Sequence, residues 1–162
     1  MDANYNEIFM QRAVELSQTA YQTGKGLPIG CVIVKNGVIV GEGHNEIFSR
    51  TNPTAHGEMV AIENACKNTG ELQLAGCDLY TTLEPCPMCF GAIYWAKVRA
   101  VYYANNAGDA SEVGFDDSFI FKQLVKPKEE QAIPMLNVKY ALAKKVLADW
   151  KLKGLNASQP RA

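Results

Sequence analysis

Two short segments of this sequence contain side chains suited to metal binding and proton transfer, His56-Gly57-Glu58 and Cys86-Pro87-Met88-Cys89. One imidazole and two thiolates are zinc ligands, and three protein ligands leave the fourth tetrahedral position of zinc open for water. Zinc lowers the pKa of a bound water towards ~7, which makes a nucleophile at neutral pH. We therefore predict a catalytic zinc site formed by His56, Cys86 and Cys89.

The position of Glu58 indicates a proton shuttle and not a fourth ligand. Two residues along a helix correspond to roughly 200°, so His56 and Glu58 would not reach one metal without distortion. A carboxylate beside a bound water can take a proton from it, and can deliver one proton to a ring nitrogen and then another to a departing amine. The alternative is a structural zinc closed by His44 or Cys77, but neither residue has a metal-ligand spacing.

Helices and strands that alternate along the chain must position these residues. Thr54 is the predicted N-cap of the second helix, so that His56 lies in its first turn. Strands that alternate with helices favour an α/β domain, one over 1–162, in which helices cover a mixed sheet. The predicted helices are 5–22, 55–67, 86–97 and 140–153, the predicted strands are 31–35, 38–43, 78–82, 100–104 and 134–138, a hairpin turn falls at Asn36-Gly37, and 105–133 is predicted to be rich in loops.

Composition and charge exclude several classes of partner. The chain has 17 acidic and 16 basic residues and a formal net charge of -1, so no global charge attracts it to nucleic acid or to anionic membranes. No apolar run approaches the ~20 residues of a membrane span, and the start MDANYNEIF has no secretory signal pattern. The 5 cysteines, an odd number, suit a reducing compartment. We expect a cytoplasmic protein with a small substrate and with no nucleic-acid or membrane partner.

The two chemical segments and their surroundings resemble the cytidine deaminase-like superfamily, in which H-x-E followed by P-C-x-x-C is the zinc deaminase signature. The similarity runs from LPIGCVIV through PTAHGEMVAIENAC and LYTTLEPCPMCFGAIYWAK to GFDDSFIF and KPKEEQAIP. From AIYWAK onward the chain is similar to the bacterial guanine deaminases. This resemblance implies a three-layer α/β/α sandwich with a mixed sheet of roughly five strands, and zinc-dependent hydrolysis of guanine to xanthine and ammonia.

Other activities stay open because the same metal site can serve several bases. LPIG and GHN also resemble yeast-type cytosine deaminase, so cytosine or an aminotriazine is the alternative substrate. A tRNA adenosine deaminase needs a basic surface, whereas the C-terminal segment carries only Lys151, Lys153 and Arg161. A non-catalytic zinc-containing binding module is the remaining class, and it would lack Glu58 or have a fourth protein ligand.

The resemblance to guanine deaminases also implies substrate contacts. Asn45 matches an asparagine that hydrogen-bonds the base, and Asp117 matches an acidic residue that faces the pocket. The alternatives are that Asn45 is a turn residue after Gly43 and that Asp117 belongs to a solvated loop or caps a helix. Ile29 stands where that family often has phenylalanine, which alters the wall on which the base stacks.

The C-terminal segment departs further from the guanine deaminase pattern. That family closes the pocket with a C-terminal aromatic residue, whereas this chain finishes NASQPRA. Trp150 therefore either caps the site or packs the last helix. We expect 140–162 to be a helix and a mobile tail, a candidate cover for the active site. By analogy with the family we also expect a homodimer, with exchange of C-terminal segments as a further possibility.

Overall fold

Six α-helices and four strands make up the part of the chain that this computed structural model describes, residues 5–153. The chain divides into two compact units, Met1–Asp117 and Ser118–Ala162, called here the N-terminal and C-terminal units. One domain over 1–162 stays a prediction. The helices are α1 Glu7–Gln22, α2 Gly57–Thr69, α3 Pro87–Ala96, α4 Ala107–Glu112, α5 Ser118–Leu124 and α6 Ala141–Leu152, with a 3-10 turn at Lys128–Glu130, and the strands are β1 Gly30–Lys35, β2 Val38–His44, β3 Cys77–Leu83 and β4 Ala100–Asn105.

The sheet is mixed, with the strand order β2-β1-β3-β4. β1 pairs antiparallel with β2 and with β3, and β3 pairs parallel with β4. The expected count of roughly five strands is wrong, because the sheet has four. The predicted strand at 134–138 does not form: this run has no pairing partner, and its first residue, Pro134, has no amide hydrogen to donate to a ladder.

Helices cover both faces of this sheet within the N-terminal unit. Leu16 of α1 packs on one face against Val32, Val34 and Tyr80. Alternate residues of the same strands point to the opposite face and pack against α2 and α3. The core on this second face consists of Cys31, Ile33, Ala61, Ala65, Leu74, Cys77, Leu79, Ile93 and Ala96. The prediction of helical layers on both sides of a mixed sheet is confirmed.

The start of α2 differs from the prediction. The helix begins at Gly57 with His56 as its N-cap, so Thr54 is not the cap and His56 is not in the first turn. The side chain of Asn52 accepts hydrogen bonds from the amide and hydroxyl of Thr54, at 2.9 and 2.8 Å, and so keeps Thr54 in a turn. His56 is extended, with φ -72° and ψ 157°. The backbone therefore changes direction between His56 and Glu58, and the helical angle of roughly 200° between them does not apply.

The segment 105–133 contains more helix than predicted. Asn106 caps α4 by accepting from the amides of Gly108 and Asp109, and the Asp109 carboxylate accepts from the Asn106 amide. This reciprocal pairing is a capping box, which stabilises a helix too short to show a periodic pattern. No helix between residues 5 and 153 has the length and apolar character to span a bilayer.

Candidate active site

His56, Cys86 and Cys89 converge at the starts of two neighbouring helices. His56 is the N-cap of α2, Cys86 is the N-cap of α3, and Cys89 lies in the first turn of α3 behind Pro87. Both sulfur atoms lie 3.6 Å from Nδ1 of His56. The three possible ligand atoms lie within 4.8 Å of one another. Residues 30 and 33 positions apart thus form one cluster.

The donor set and spacing of this cluster fit zinc. Bonds of about 2.0–2.1 Å to nitrogen and about 2.3 Å to sulfur, at a tetrahedral angle, place the two ligand atoms about 3.6 Å apart. The observed nitrogen to sulfur distances are 3.6 Å. Within the described residues the cluster has three members, His56, Cys86 and Cys89. Three protein ligands leave a fourth position for water or substrate, as in catalytic zinc sites.

The electrostatics of the cluster favour a thiolate at Cys86. The hydrogen bond from Cys89, followed by that from His56, lowers the pKa of Cys86 to about 4 despite partial burial. The same interaction with Cys86, together with burial, raises the pKa of Cys89. A hydrogen bond to Cys86 raises the pKa of His56. These hydrogen bonds and the dipole of α3 both favour a negative charge on the Cys86 sulfur.

Glu58 lies directly beside this cluster. It is the second residue of α2 and its side chain is buried, with the residue 3% exposed. Oε2 lies 3.5 Å from Sγ of Cys89, and Oε1 accepts from the hydroxyl of Thr81 at 3.4 Å. Burial is the largest cause of the raised pKa of this carboxyl group. A carboxylate at this position is close enough to exchange a proton with a water held at the metal.

Asn45 and Ile29 lie next to the start of α2. The backbone amide of Asn45 donates to the carbonyl of Ile29 at 2.8 Å. That carbonyl lies close to the first residue of α2, since a Cβ atom at Gly57 would be 3.0 Å from its oxygen. Asn45 is fully buried, and its Oδ1 accepts from the amides of Leu27 and Ile47 at 3.1 and 3.3 Å. Among the residues described, Nδ2 of Asn45 is the buried side-chain N or O atom without a partner. Asn45 therefore has a fixed orientation and a donor to offer to a ligand.

The other two predicted substrate residues lie in different units. Asp117 ends the N-terminal unit, and its charge raises the pKa of His56. Burial raises the pKa of Asp117 itself, with Cys86 as the next contribution. Trp150 lies on α6 in the C-terminal unit, where it is 39% exposed. Its role as a pocket cap stays a prediction, and the tail 154–162 lies outside the described residues.

Sequence reasoning missed the strand residues beneath Glu58. Thr81 of β3 is directly opposite Cys31 of β1, and both side chains are fully buried. The charge of Glu58 contributes to the raised pKa of Cys31, after burial. A polar side chain inside a central strand requires a hydrogen-bond partner, and this requirement is the signal that could have identified Thr81.

Comparison with protein families identifies the group to which this site belongs. A family model described as the cytidine and deoxycytidylate deaminase zinc-binding region matches residues 3–105, which is more than half of the chain. The chain belongs to this deaminase family. The match contains His56, Glu58, Cys86 and Cys89, so the residues selected for their chemistry lie inside the zinc-binding region of a deaminase. The predicted membership of the cytidine deaminase-like superfamily is confirmed.

Individual members of the deaminase family give a finer comparison. The chain is 53% identical to guanine deaminase of Bacillus subtilis (strain 168) over 133 residues, 82% of this chain and 85% of the relative. The X-ray structure of guanine deaminase from Bacillus subtilis superimposes with a TM-score of 0.88 and 46% identity, over 96% of this chain and 98% of the other. A tRNA-specific adenosine deaminase of Aquifex aeolicus is 39% identical over 98 residues, 60% of this chain and 64% of the relative. The similarity to guanine deaminase therefore continues beyond the zinc-binding region.

Proposed function

We propose that this chain is a zinc-dependent guanine deaminase, which converts guanine and water to xanthine and ammonia. The observation that carries the chemistry is the three-ligand cluster with Glu58 3.5 Å from Cys89. The choice of guanine is supported by 53% identity to a guanine deaminase over 82% of this chain. A metal-binding module without catalysis would not need a buried carboxylate beside a three-ligand site.

In this proposal His56 Nδ1 and the sulfur atoms of Cys86 and Cys89 hold the zinc. Zinc bound there would lower the pKa of a water molecule and so supply the nucleophile for C2 of guanine. Glu58 accepts the first proton of the water and donates it to N3 of the base, where xanthine retains it. Glu58 then transfers the second proton, from the hydroxyl on C2, to the amino group, which leaves as ammonia when the C2–N bond breaks. Burial of Glu58, at 3% exposure, keeps bulk water from competing for this proton.

Asn45 and Asp117 are the proposed contacts to the base. The Nδ2 group of Asn45 donates to the edge of guanine that presents the acceptors O6 and N7. The two backbone amides bonded to Oδ1 prevent the Asn45 side chain from turning its oxygen towards that edge. Asp117 accepts from N–H donors of guanine. The buried side chain of Ile29 contributes to the wall beside the base.

A panel of substrates tests the choice of base. Ammonia release is measured for guanine, cytosine, an aminotriazine, guanosine and a tRNA that contains the editable adenosine. We expect guanine to have the highest kcat/KM. Faster release from cytosine or the triazine would replace guanine as the substrate and leave the metal chemistry intact. Faster release from the tRNA would replace the small-molecule substrate by a nucleic acid.

Substitution of Glu58 tests its role as the proton carrier. Glu58→Gln preserves shape and removes the base, so we expect kcat to fall by roughly 100-fold or more, which is the usual scale of general acid–base catalysis. The bound zinc, measured by atomic absorption, is expected to stay at the wild-type level. Glu63→Gln is the matched control on the same helix, where Glu63 pairs with Lys67 on the surface. Normal turnover in Glu58→Gln would remove the shuttle from the mechanism.

We also propose that two copies of the chain form a homodimer that exchanges C-terminal segments. No described residue of the C-terminal unit is buried. Its exposed apolar residues include Leu136 at 81%, Val138 at 83% and Leu147 at 72%. Soluble monomers rarely expose so many apolar side chains together, so a second copy is the proposed cover. Light scattering on the purified chain should give twice the mass of 17.8 kDa.

A further inference from the structure

The Glu58 carboxylate has different surroundings at its two oxygen atoms. Oε1 faces the strand floor and accepts from the Thr81 hydroxyl at 3.4 Å. Oε2 faces the metal cluster and lies 3.5 Å from the Cys89 sulfur. The carboxylate therefore has one oxygen directed to the sheet and one directed to the reacting centre.

Metal binding has different effects on the contacts of Glu58 with Cys89 and with Thr81. A cysteine that ligates zinc does so as a thiolate and has no S–H to donate. Cys89 then no longer gives a hydrogen bond to Oε2. The Thr81 hydroxyl still donates a hydrogen bond to Oε1 of Glu58. Among the described residues this hydroxyl forms no hydrogen bond with Cys86 or His56, so metal binding leaves the donor unchanged.

We propose that Thr81 is a positioning residue, which holds Oε1 of Glu58 so that Oε2 is the oxygen that carries the proton during deamination. This inference rests on the proposed function of Glu58. The position of Thr81 suits the role because β3 is paired on both sides, with β1 and with β4. The residue is 0% exposed, and the branched threonine side chain has few χ1 rotamers in a strand.

The length of the hydrogen bond is compatible with this role. A distance of 3.4 Å is long for an O–H donor to a carboxylate. Catalytic hydrogen bonds are often long without substrate and shorten in the reactive complex. Because the central strand fixes the Thr81 hydroxyl, the Glu58 carboxylate can move closer to it when the base is bound.

Two substitutions at position 81 separate the hydroxyl from the shape of the side chain. Thr81→Val keeps the branched shape and removes the donor, whereas Thr81→Ser keeps the donor and removes a methyl group. For Thr81→Val we expect kcat for guanine to fall roughly tenfold or more, the scale of a hydrogen bond to a charged group, with KM within about twofold of wild type. Thr81→Ser should have a kcat within about threefold of wild type, and both variants should retain zinc.

Ser17→Ala is the matched control for the loss of a buried hydroxyl. Ser17 is 8% exposed on α1, on the opposite face of the sheet, and its hydroxyl donates to the Val14 carbonyl. This variant should have the wild-type kcat and KM. A fall in its kcat equal to that of Thr81→Val would show a general effect of lost packing and would overturn the proposal.

Glu58→Gln separates failure of this inference from failure of the proposed function. If Glu58→Gln is fully active, the proton carrier itself is misassigned, whatever position 81 does. If Glu58→Gln is inactive while Thr81→Val has the wild-type kcat, the positioning role is overturned and Glu58 keeps its function. Equal losses in Thr81→Val and Thr81→Ser, or a change in KM alone, would also overturn the positioning role. A smaller loss from Thr81→Val in the Glu58→Gln background than in wild type would support it.

Discussion

The N-terminal unit buries many of its apolar side chains, whereas the C-terminal unit leaves its own exposed. Within residues 5–153, every buried residue belongs to the N-terminal unit, where helices cover both faces of the sheet. In the C-terminal unit Leu136, Val138 and Leu147 are more than 70% exposed. The metal cluster and Glu58 lie in the N-terminal unit. The N-terminal unit therefore has its own core and holds the candidate metal ligands, whereas the described residues of the C-terminal unit bury none of their apolar side chains.

The largest expected effect is the loss of a metal ligand from the N-terminal unit. Cys89→Ala removes one of three ligands, and we expect the zinc content to fall well below one per chain and turnover to fall by several orders of magnitude. The reason is that the two remaining ligands hold the ion weakly and hold it in the wrong geometry. Zinc content by atomic absorption and ammonia release from guanine measure the two effects.

Cys66→Ala is the control for the loss of a cysteine. Cys66 lies near the end of α2 and is not a member of the metal cluster. It should keep both its zinc and its turnover. A Cys89→Ala protein that retains full zinc and full turnover would show that the metal chemistry is located elsewhere, and the contrast between the two units would lose its functional meaning.

The same contrast explains how much of the fold was predictable from the sequence. The hairpin was predicted because Asn36 and Gly37 accept positive φ angles, and the structure has them at 52° and 79°. The predicted strands and helices up to residue 105 overlap the observed ones because each is either an apolar pattern at helical spacing or a short run of β-branched and aromatic residues between turn residues. The run at 134–138 failed because an apolar pattern alone does not supply a pairing partner.

The candidate site was predictable only where residue types and motif spacing identify metal ligands. His56, Cys86 and Cys89 were predicted as ligands from their residue types, and the structure brings them together. Thr81 was not predicted, because nothing in the order of residues places a strand hydroxyl beside a carboxylate 23 positions earlier. The start of α2 was also wrong, since the Asn52 side chain competes for Thr54 and sequence periodicity does not reveal that competition.

An intermediate effect is expected at Gly26, which packs against Asn45, the proposed contact to the base. A Cβ atom there would lie 2.2 Å from Oδ1 and 2.4 Å from the carbonyl oxygen of Asn45. Gly26→Ala therefore forces Asn45 to move, and we expect a loss of about 1–3 kcal/mol in the free energy of unfolding together with a raised KM for guanine. Urea denaturation and steady-state kinetics measure these two quantities.

Gly24→Ala is the control from the same loop. Gly24 has a φ of 67° and open space where a Cβ atom would stand. The backbone conformation alone should cost about 1–2 kcal/mol, with KM unchanged. If the two alanine variants raise KM equally, the change comes from the loop as a whole, and the specific role of Asn45 in binding the base is wrong.

The smallest change in the free energy of unfolding is expected for a substitution of Leu147 on α6. The same substitution tests whether a second copy of the chain covers this helix. This residue is 72% exposed, so Leu147→Glu should change the free energy of unfolding by no more than about 0.5 kcal/mol if the chain acts alone. If a second copy covers α6, the new charge becomes buried without a partner, and the dissociation constant of the dimer should rise roughly tenfold or more. Sedimentation over a range of protein concentrations distinguishes the two cases. Lys145→Glu, a charge change on the opposite face of the same helix, should leave the dimer intact, and a Leu147→Glu protein that dimerises as wild type would show that α6 is not the covered surface.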